Sequence, residues 1–294
     1  MTSNAEAFLC VGAAHWDLIC RAETTLKSGS DVPGSVTRRA GGVALNVAAG
    51  LAHAGCRTSL CAAVGGDPEG DQLVDWAMSQ GIDCAGVVRA PNRATDIYVA
   101  IEQPSGALFG AVARSALPER LGPEIADQAK QSIRRGTTST VLLDANLSTE
   151  TLLDLAQAAR DAGCALAINP VSPVKAPRLR CLLEEGLMPQ IIGNREEAEA
   201  ITGCVFANSE EAGRALFRLG ARSCLISDGA NPAALVSPAG SAIAEIHPVV
   251  RASVTGAGDA LMAGYLACAE RDVDPHAALG TALSAAARHM ETSA

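Results

Sequence analysis

The sequence predicts an α/β fold in which a mostly parallel sheet is covered by helices on both faces, with a small β-sheet lid to one side. Three observations predict it. Apolar runs of strand length alternate with longer helical patterns along the 294 residues. Glycines fall just past several helical patterns, where a left-handed residue would stop them. Two segments, 17–40 and 94–113, break the rhythm with β-like pieces. Strands are expected at 8–12, 58–64, 140–143, 165–168, 190–192 and 223–227. Helices are expected at 43–54, 70–80, 149–162, 196–201, 210–219, 260–269 and 275–290. Gly55, Gly163 and Gly220 are the expected helix stops. Segment 17–40 reads as loop-rich with short β-like pieces. Segment 94–113 alternates and turns at 104–106, as a hairpin does. No repeat or linker divides the chain, so residues 1–294 read as one domain with a lid.

Composition narrows the function. Hydrophobic residues make up 48%, enough for a real core, yet no run approaches the roughly 18 apolar residues that span a bilayer. Much of that fraction is alanine, which suits closely packed helices. Acidic residues outnumber basic ones 32 to 23, for a net charge of −9, and the only lysines are Lys27, Lys130 and Lys175. A nucleic-acid footprint needs the opposite balance, so neither nucleic acid nor membrane is expected as a partner. The first residues lack the basic start and apolar segment of an export signal. None of the ten cysteines forms a C-x-x-C pair, which fits reduced thiols and a cytoplasmic location.

The sharpest motif is Val254-Thr-Gly-Ala-Gly-Asp259, leading directly into a helical stretch. Gly256 and Gly258 permit a tight backbone path free of obstructing side chains. A glycine turn that opens a helix aims unpaired N–H groups and the positive dipole end at one point, an anion hole. Asp259 at its mouth is placed to take a hydroxyl proton, or simply to cap the helix.

Three weaker motifs accompany it. Ala40-Gly-Gly-Val-Ala-Leu-Asn46 sets Gly41 and Gly42 at a helix start, with Asn46 one turn in. Asp17, in Val11-Gly-Ala-Ala-His-Trp-Asp17, follows the first strand, where a carboxylate can accept two sugar hydroxyls. Asn194-Arg-Glu-Glu197 follows a later strand. Asn194 and Glu197 suit a hydrated Mg²⁺ with its phosphates, and equally a capping box. Lys175 stands out because lysine is scarce; it reads as a phosphate contact or a solvated loop residue. The five histidines are scattered and read mostly as structural or exposed. No G-x-G-x-x-G follows the first strand, no G-x-x-x-x-G-K-[ST] occurs, and H-E-x-x-H is missing. Dinucleotide dehydrogenases, P-loop enzymes and zinc hydrolases are thereby disfavoured.

Taken in order, these motifs resemble the PfkB (ribokinase-like) carbohydrate kinase family across essentially the whole chain. The resemblance implies a three-layer α/β/α sandwich with a β-lid over the sugar. It implies Asp259 as catalytic base and Gly256, Ala257 and Gly258 as the phosphoryl cradle. Asp17, Gly41, Gly42 and Asn46 would hold the sugar, Glu197 the metal, and Asn194, Ser227, Gly229 and Thr255 the nucleotide. ATP is the implied co-substrate and Mg²⁺ the implied cofactor, with a monovalent cation as an optional further ligand. Within the family, Leu143-Asp-Ala-Asn-Leu-Ser148 and Asn169-Pro-Val-Ser-Pro-Val-Lys175 are similar to stretches of pseudouridine kinases. That resemblance implies pseudouridine as acceptor and Asn146 as a contact to its base. Ribose, another nucleoside or a hexose derivative are the alternative acceptors, and a non-catalytic sugar- or nucleotide-binding protein is the alternative class. Asn169 stands where an aspartate is usual, Pro232 where a second glycine is common, and Gly280 where a polar nucleotide contact is frequent. A homodimer through the lid strands is expected because a small sheet has edges to protect.

Overall fold

The computed structural model describes residues 7–246, 255–269 and 274–292. In chain order the elements are β1 (Ala7–Gly12), β2 (His15–Ala22), β3 (Gly34–Gly41), α1 (Val43–His53), β4 (Arg57–Gly65), α2 (Pro68–Ser79), β5 (Val88–Ala90), β6 (Ile97–Glu102) and β7 (Leu108–Arg114). There follow α3 (Leu117–Arg120), α4 (Gly122–Arg134), β8 (Thr140–Asp144), α5 (Thr149–Asp161), β9 (Ala165–Asn169), a 3-10 turn (Ala176–Leu179) and α6 (Arg180–Glu184). The chain continues through β10 (Gln190–Asn194), α7 (Arg195–Thr202), α8 (Ser209–Arg218), β11 (Ser223–Asp228), β12 (Asn231–Ser237), β13 (Gly240–Ala244), α9 (Ala257–Ala269) and α10 (Pro275–Thr292).

Nine strands form the central sheet in the order β13-β12-β11-β10-β9-β8-β1-β4-β5, parallel except at the β12–β13 edge. Both faces are buried, as a parallel sheet requires. Along β1, Phe8 and Cys10 face one apolar layer while Leu9 and Val11 face the other. The first layer is filled from α1, α2, α9 and α10 by residues such as Leu51, Leu73, Met262 and Leu279. The second is filled from α4, α5, α7 and α8 by Ile125, Leu155, Ile201 and Leu216. Each such fully buried side chain contributes about 1.5–3 kcal/mol. Side-chain oxygens of Asp67, Ser148, Asn194 and Asn208 cap four of the helices. Gly55, Gly163 and Gly220 stop helices at φ 83°, 71° and 110°.

Small residues let helices approach closely. A Cβ on Gly50 of α1 would lie 2.6 Å from the Ala263 Cβ of α9, and one on Gly264 of α9 would lie 2.6 Å from the Ala285 Cβ of α10. The helix that carries Asp259 is thus gripped from both sides. Among the described residues, no helix is long and apolar enough to cross a membrane.

The lid is a separate four-stranded sheet in the order β3-β2-β6-β7. The hairpin expected at 94–113 is present as β6 and β7. Segment 17–40 is more regular than its sequence suggests: β2 and β3 pair over eight residues, from His15↔Gly41 to Ala22↔Gly34. β3 hides this because most of its residues face solvent, and polar Ser, Thr and Arg positions leave no alternation to read. The β12–β13 edge and α4 are further elements the sequence patterns left unassigned. In α4 the buried Ile125, Ala129 and Ile133 recur every four residues among charged neighbours.

Candidate active site

Parallel strands end on the same side, and here the side chains at those ends converge. Asp144 closes β8, Asn169 closes β9 and Asn194 closes β10. Asn169 and Asn194, together with the starts of α1 and α9 and the inner face of the lid, bound a cleft of about 500 Å³, while Asp144 is fully buried and does not line it.

Gly256, with φ 85°, stands at the entry to α9, and its carbonyl accepts from the Ala260 N–H. Ala257, Gly258 and Asp259 form the first turn, so their N–H groups have no acceptor within the helix. Thr255, Gly256, Gly258 and Asp259 line the cleft. A Cβ on Gly258 would meet nothing within 4 Å, whereas one on Gly256 would lie 2.7 Å from His289 Nε2. That same ring nitrogen lies 3.1 Å from the Thr255 carbonyl oxygen, so α10 braces the turn from behind. Val254, the first residue of the motif, lies outside the described residues.

The Asp259 side chain does not merely cap α9. Its Oδ2 accepts from Asn46 Nδ2 at 2.8 Å, and its Oδ1 lies 3.5 Å from Asn169 Nδ2. Desolvation pushes the carboxyl up to about 7. The Asn46 hydrogen bond opposes that rise, and the negative charges of Asp144 and Asp17 add to it. Such a group sits near the point where it can take up or release a proton at neutral pH.

Asp17 lies on lid strand β2, not in a loop after β1, and lines the cleft from there. Its Oδ1 is 3.0 Å from His15 Nδ1, but neither buried atom has a hydrogen-bond partner in proper alignment. Buried polar atoms left in this state are poised for a ligand. Gly41 sits behind the carboxylate: a Cβ there would lie 2.4 Å from Asp17 Cγ. Gly42, with φ 95°, opens α1, and a Cβ would lie 2.5 Å from the Ala13 carbonyl oxygen. Asp144 ties these pieces together. Its Oδ2 accepts from the Ala13 and Ala44 N–H groups at 2.8 and 3.2 Å, and its Oδ1 accepts from the Asn146 N–H at 2.9 Å.

Under the lid, Asn146 Oδ1 accepts from Lys175 Nζ at 2.5 Å and from Ser115 Oγ at 3.2 Å. Burial lowers the Lys175 pKa, while the Asp144 charge opposes that shift. Lys175 is therefore not a solvated loop residue: it lines the cleft, bonded to Asn146. On the opposite wall, Asn194 and Glu197 form the reciprocal capping box that starts α7. Glu197 is buried and lines the cleft; desolvation raises its carboxyl to about 7 against the pull of the Asn194 N–H. Ser227 also lines the cleft, its Oγ 3.4 Å from the Gly193 carbonyl oxygen.

Three residues singled out from the sequence do not line the cleft. Gly41 backs Asp17, Ala257 begins α9 behind the turn, and Gly229 (φ 60°) occupies the tight turn between β11 and β12. Conversely, His15, Tyr98 and Ser115 line it without having been assigned there, and Lys175 lines it beside them. For His15 the available signal was its position two residues before Asp17, which on a strand puts both on one face. Tyr98 and Ser115 had none, because their place depends on how the lid folds over.

The cleft, the α9 turn and the lid are together the arrangement expected of the resembled family, and the chain matches the pfkB family carbohydrate kinases over residues 5–292. The chain belongs to this family. As a pfkB kinase it is a phosphotransferase acting on a hydroxyl acceptor. It is 26% identical over 263 residues to the pseudouridine kinase of Escherichia coli (strain K12), a match covering 88% of this chain and 82% of that one. Among solved structures, a carbohydrate kinase from Agrobacterium tumefaciens superposes with a TM-score of 0.76 at 30% identity, covering 96% of this chain and 90% of that one. The Arabidopsis thaliana ribokinase complexed with ribose and ATP superposes with a TM-score of 0.75 at 19% identity, covering 96% and 91%. The ribokinase-like α/β/α fold of this pfkB kinase is thus the one its sequence predicts.

Proposed function

We propose that this kinase transfers the γ-phosphoryl group of ATP to the ribose 5′-hydroxyl of pseudouridine, giving pseudouridine 5′-phosphate and ADP. The observation that carries the reading is the Asp259 carboxylate, held at 2.8 Å by Asn46 beside the open first turn of α9. The 26% identity to a pseudouridine kinase supports the acceptor.

In this reading Asp17 and Asn46 Oδ1 orient the ribose, Gly41 leaves the room that Asp17 occupies, and Gly42 lets the backbone approach the sugar. Asp259 accepts the 5′-hydroxyl proton as the O5′–Pγ bond forms and the bond from Pγ to the bridging oxygen of ADP breaks. The N–H groups of Gly256, Ala257 and Gly258 face the charge that develops on the transferring group. Asn194, Ser227 and Thr255 line the nucleotide side, with Gly229 shaping the turn beyond them. Asn146 faces the base in this reading as a donor through Nδ2, because its Oδ1 already accepts from Lys175 and Ser115; the acceptor for the extra ring N–H of pseudouridine is then another group.

Glu197 fits Mg²⁺: it is a buried carboxylate at the cleft wall, and no cationic side chain is bonded to it among the described residues. No cluster of three or more acidic, histidine or cysteine side chains that could cage a metal is present among them. One carboxylate with substrate phosphates and waters is a usual Mg²⁺ arrangement. When bound, the ion would neutralise phosphate charge. A cytoplasmic location and a homodimer through the lid strands complete the reading; Val36 and Val112 are exposed on that sheet.

A panel of acceptors with labelled ATP tests the substrate. Pseudouridine should exceed uridine and ribose clearly in kcat/KM. Ribose or another sugar leading the panel moves the assignment within the family, and no ADP formation with any acceptor favours a binding protein.

A further inference from the structure

A second cavity, of about 570 Å³, lies at the opposite edge of the central sheet, where β8, β9, β10 and β11 begin. Gln190 opens β10 beside it, and Asn194 closes the same strand at the catalytic cleft, roughly 13 Å away at the rise of a strand. Helix α9 also spans the two, with Asp259 in its first turn and Tyr265 facing the second cavity.

The lining is polar and built. Gln190 is only 8% exposed, yet its amide has no hydrogen-bond partner among the described residues. Its amide atoms open onto the cavity, where a ligand or water can pair with them. Arg222, exposed at the rim, makes no ion pair among the described residues, and no described carboxylate lines the cavity. Tyr265 and Ser223 share one hydrogen bond at 3.1 Å, so one of their two hydroxyl protons remains to be donated. Burial holds the Tyr265 phenol above its usual pKa, which keeps it a neutral donor. In a chain of net charge −9, an acid-free hollow with a guanidinium at its mouth favours negative charge.

We infer that this cavity is a second binding site, separate from the catalytic cleft, for a small hydrophilic anion bearing a carboxylate or phosphate monoester. The guanidinium of Arg222 receives the oxyanion at the rim. Gln190 and the Tyr265–Ser223 pair take the polar remainder inside.

Calorimetric titration with inorganic phosphate, glycerol 3-phosphate and malate tests the site, run on the unmodified protein and on Arg222→Ser and Tyr265→Phe. At least one probe should show a saturable component that Arg222→Ser weakens about tenfold or more and Tyr265→Phe about threefold. Whether phosphate ester or malate gives it identifies the headgroup. Any phosphate held at the α9 turn contributes equally to all three proteins and cancels. Unchanged melting temperatures show that the variants fold. Titrations of the unmodified protein and Arg222→Ser that superimpose for every probe overturn the site.

Discussion

The amide of Asn46 and the carboxylate of Asp259, 213 positions apart in sequence, meet at 2.8 Å where α1 and α9 both begin. The contact joins the two glycine motifs into one device. It also explains why Asp259 remains tunable, since one hydrogen bond partly offsets its desolvation.

Replacing Asp259 by Asn should lower kcat by about 10²–10⁴-fold while leaving acceptor affinity nearly unchanged, as loss of a general base does. Steady-state kinetics with direct binding measurements check this, and a variant with near-normal turnover removes Asp259 from the role. The same change should stabilise the protein at pH 8. The folded carboxyl sits near 7, above its unfolded value of 3.8. The folded state therefore binds more protons between those limits, and this group's contribution to stability falls as pH rises through that window. Melting at pH 8 should rise by on the order of 3–6 °C in Asp259→Asn, and by less at pH 4.

Asp259 and Glu197 both titrate near 7, so kcat/KM should fall as pH drops through about 7. Glu197→Gln separates the two groups. It should weaken Mg²⁺ dependence and lower activity, but leave the limb that belongs to Asp259. A profile flat from pH 5.5 to 8.5 contradicts both assignments.

Asn46→Ala removes the bond that favours the charged form of Asp259. The acidic limb should shift to higher pH, with kcat at pH 7 reduced about tenfold or more. An unshifted limb means the 2.8 Å contact does not tune the base.

Two glycine substitutions should fail in different ways. Gly41→Ala drives a methyl into Asp17, so KM for the acceptor should rise more than kcat falls. At Gly258 a methyl enters open space at the cleft, so Gly258→Ala should keep or raise the melting temperature while turnover drops. Equal effects on KM in both variants would count against separate sugar and phosphoryl roles.

By itself, the sequence determined the alternation of strands and helices, the glycine stops, the lid hairpin and the four motifs. Each is a local pattern of periodicity or backbone permissiveness, written within about ten residues. It could not place Asp17 on a lid strand, because the solvent-facing β3 that pairs with it carries no apolar alternation. Nor could it bring His15, Tyr98 and Ser115 to the cleft or His289 behind Thr255, since each meets partners brought together by chain crossovers. Only the tertiary structure decided that Asn46 and Asp259 touch, and only burial raised an ordinary carboxyl to about 7 against that hydrogen bond. Desolvation and the field of distant charges depend on packing, not on neighbours in the chain.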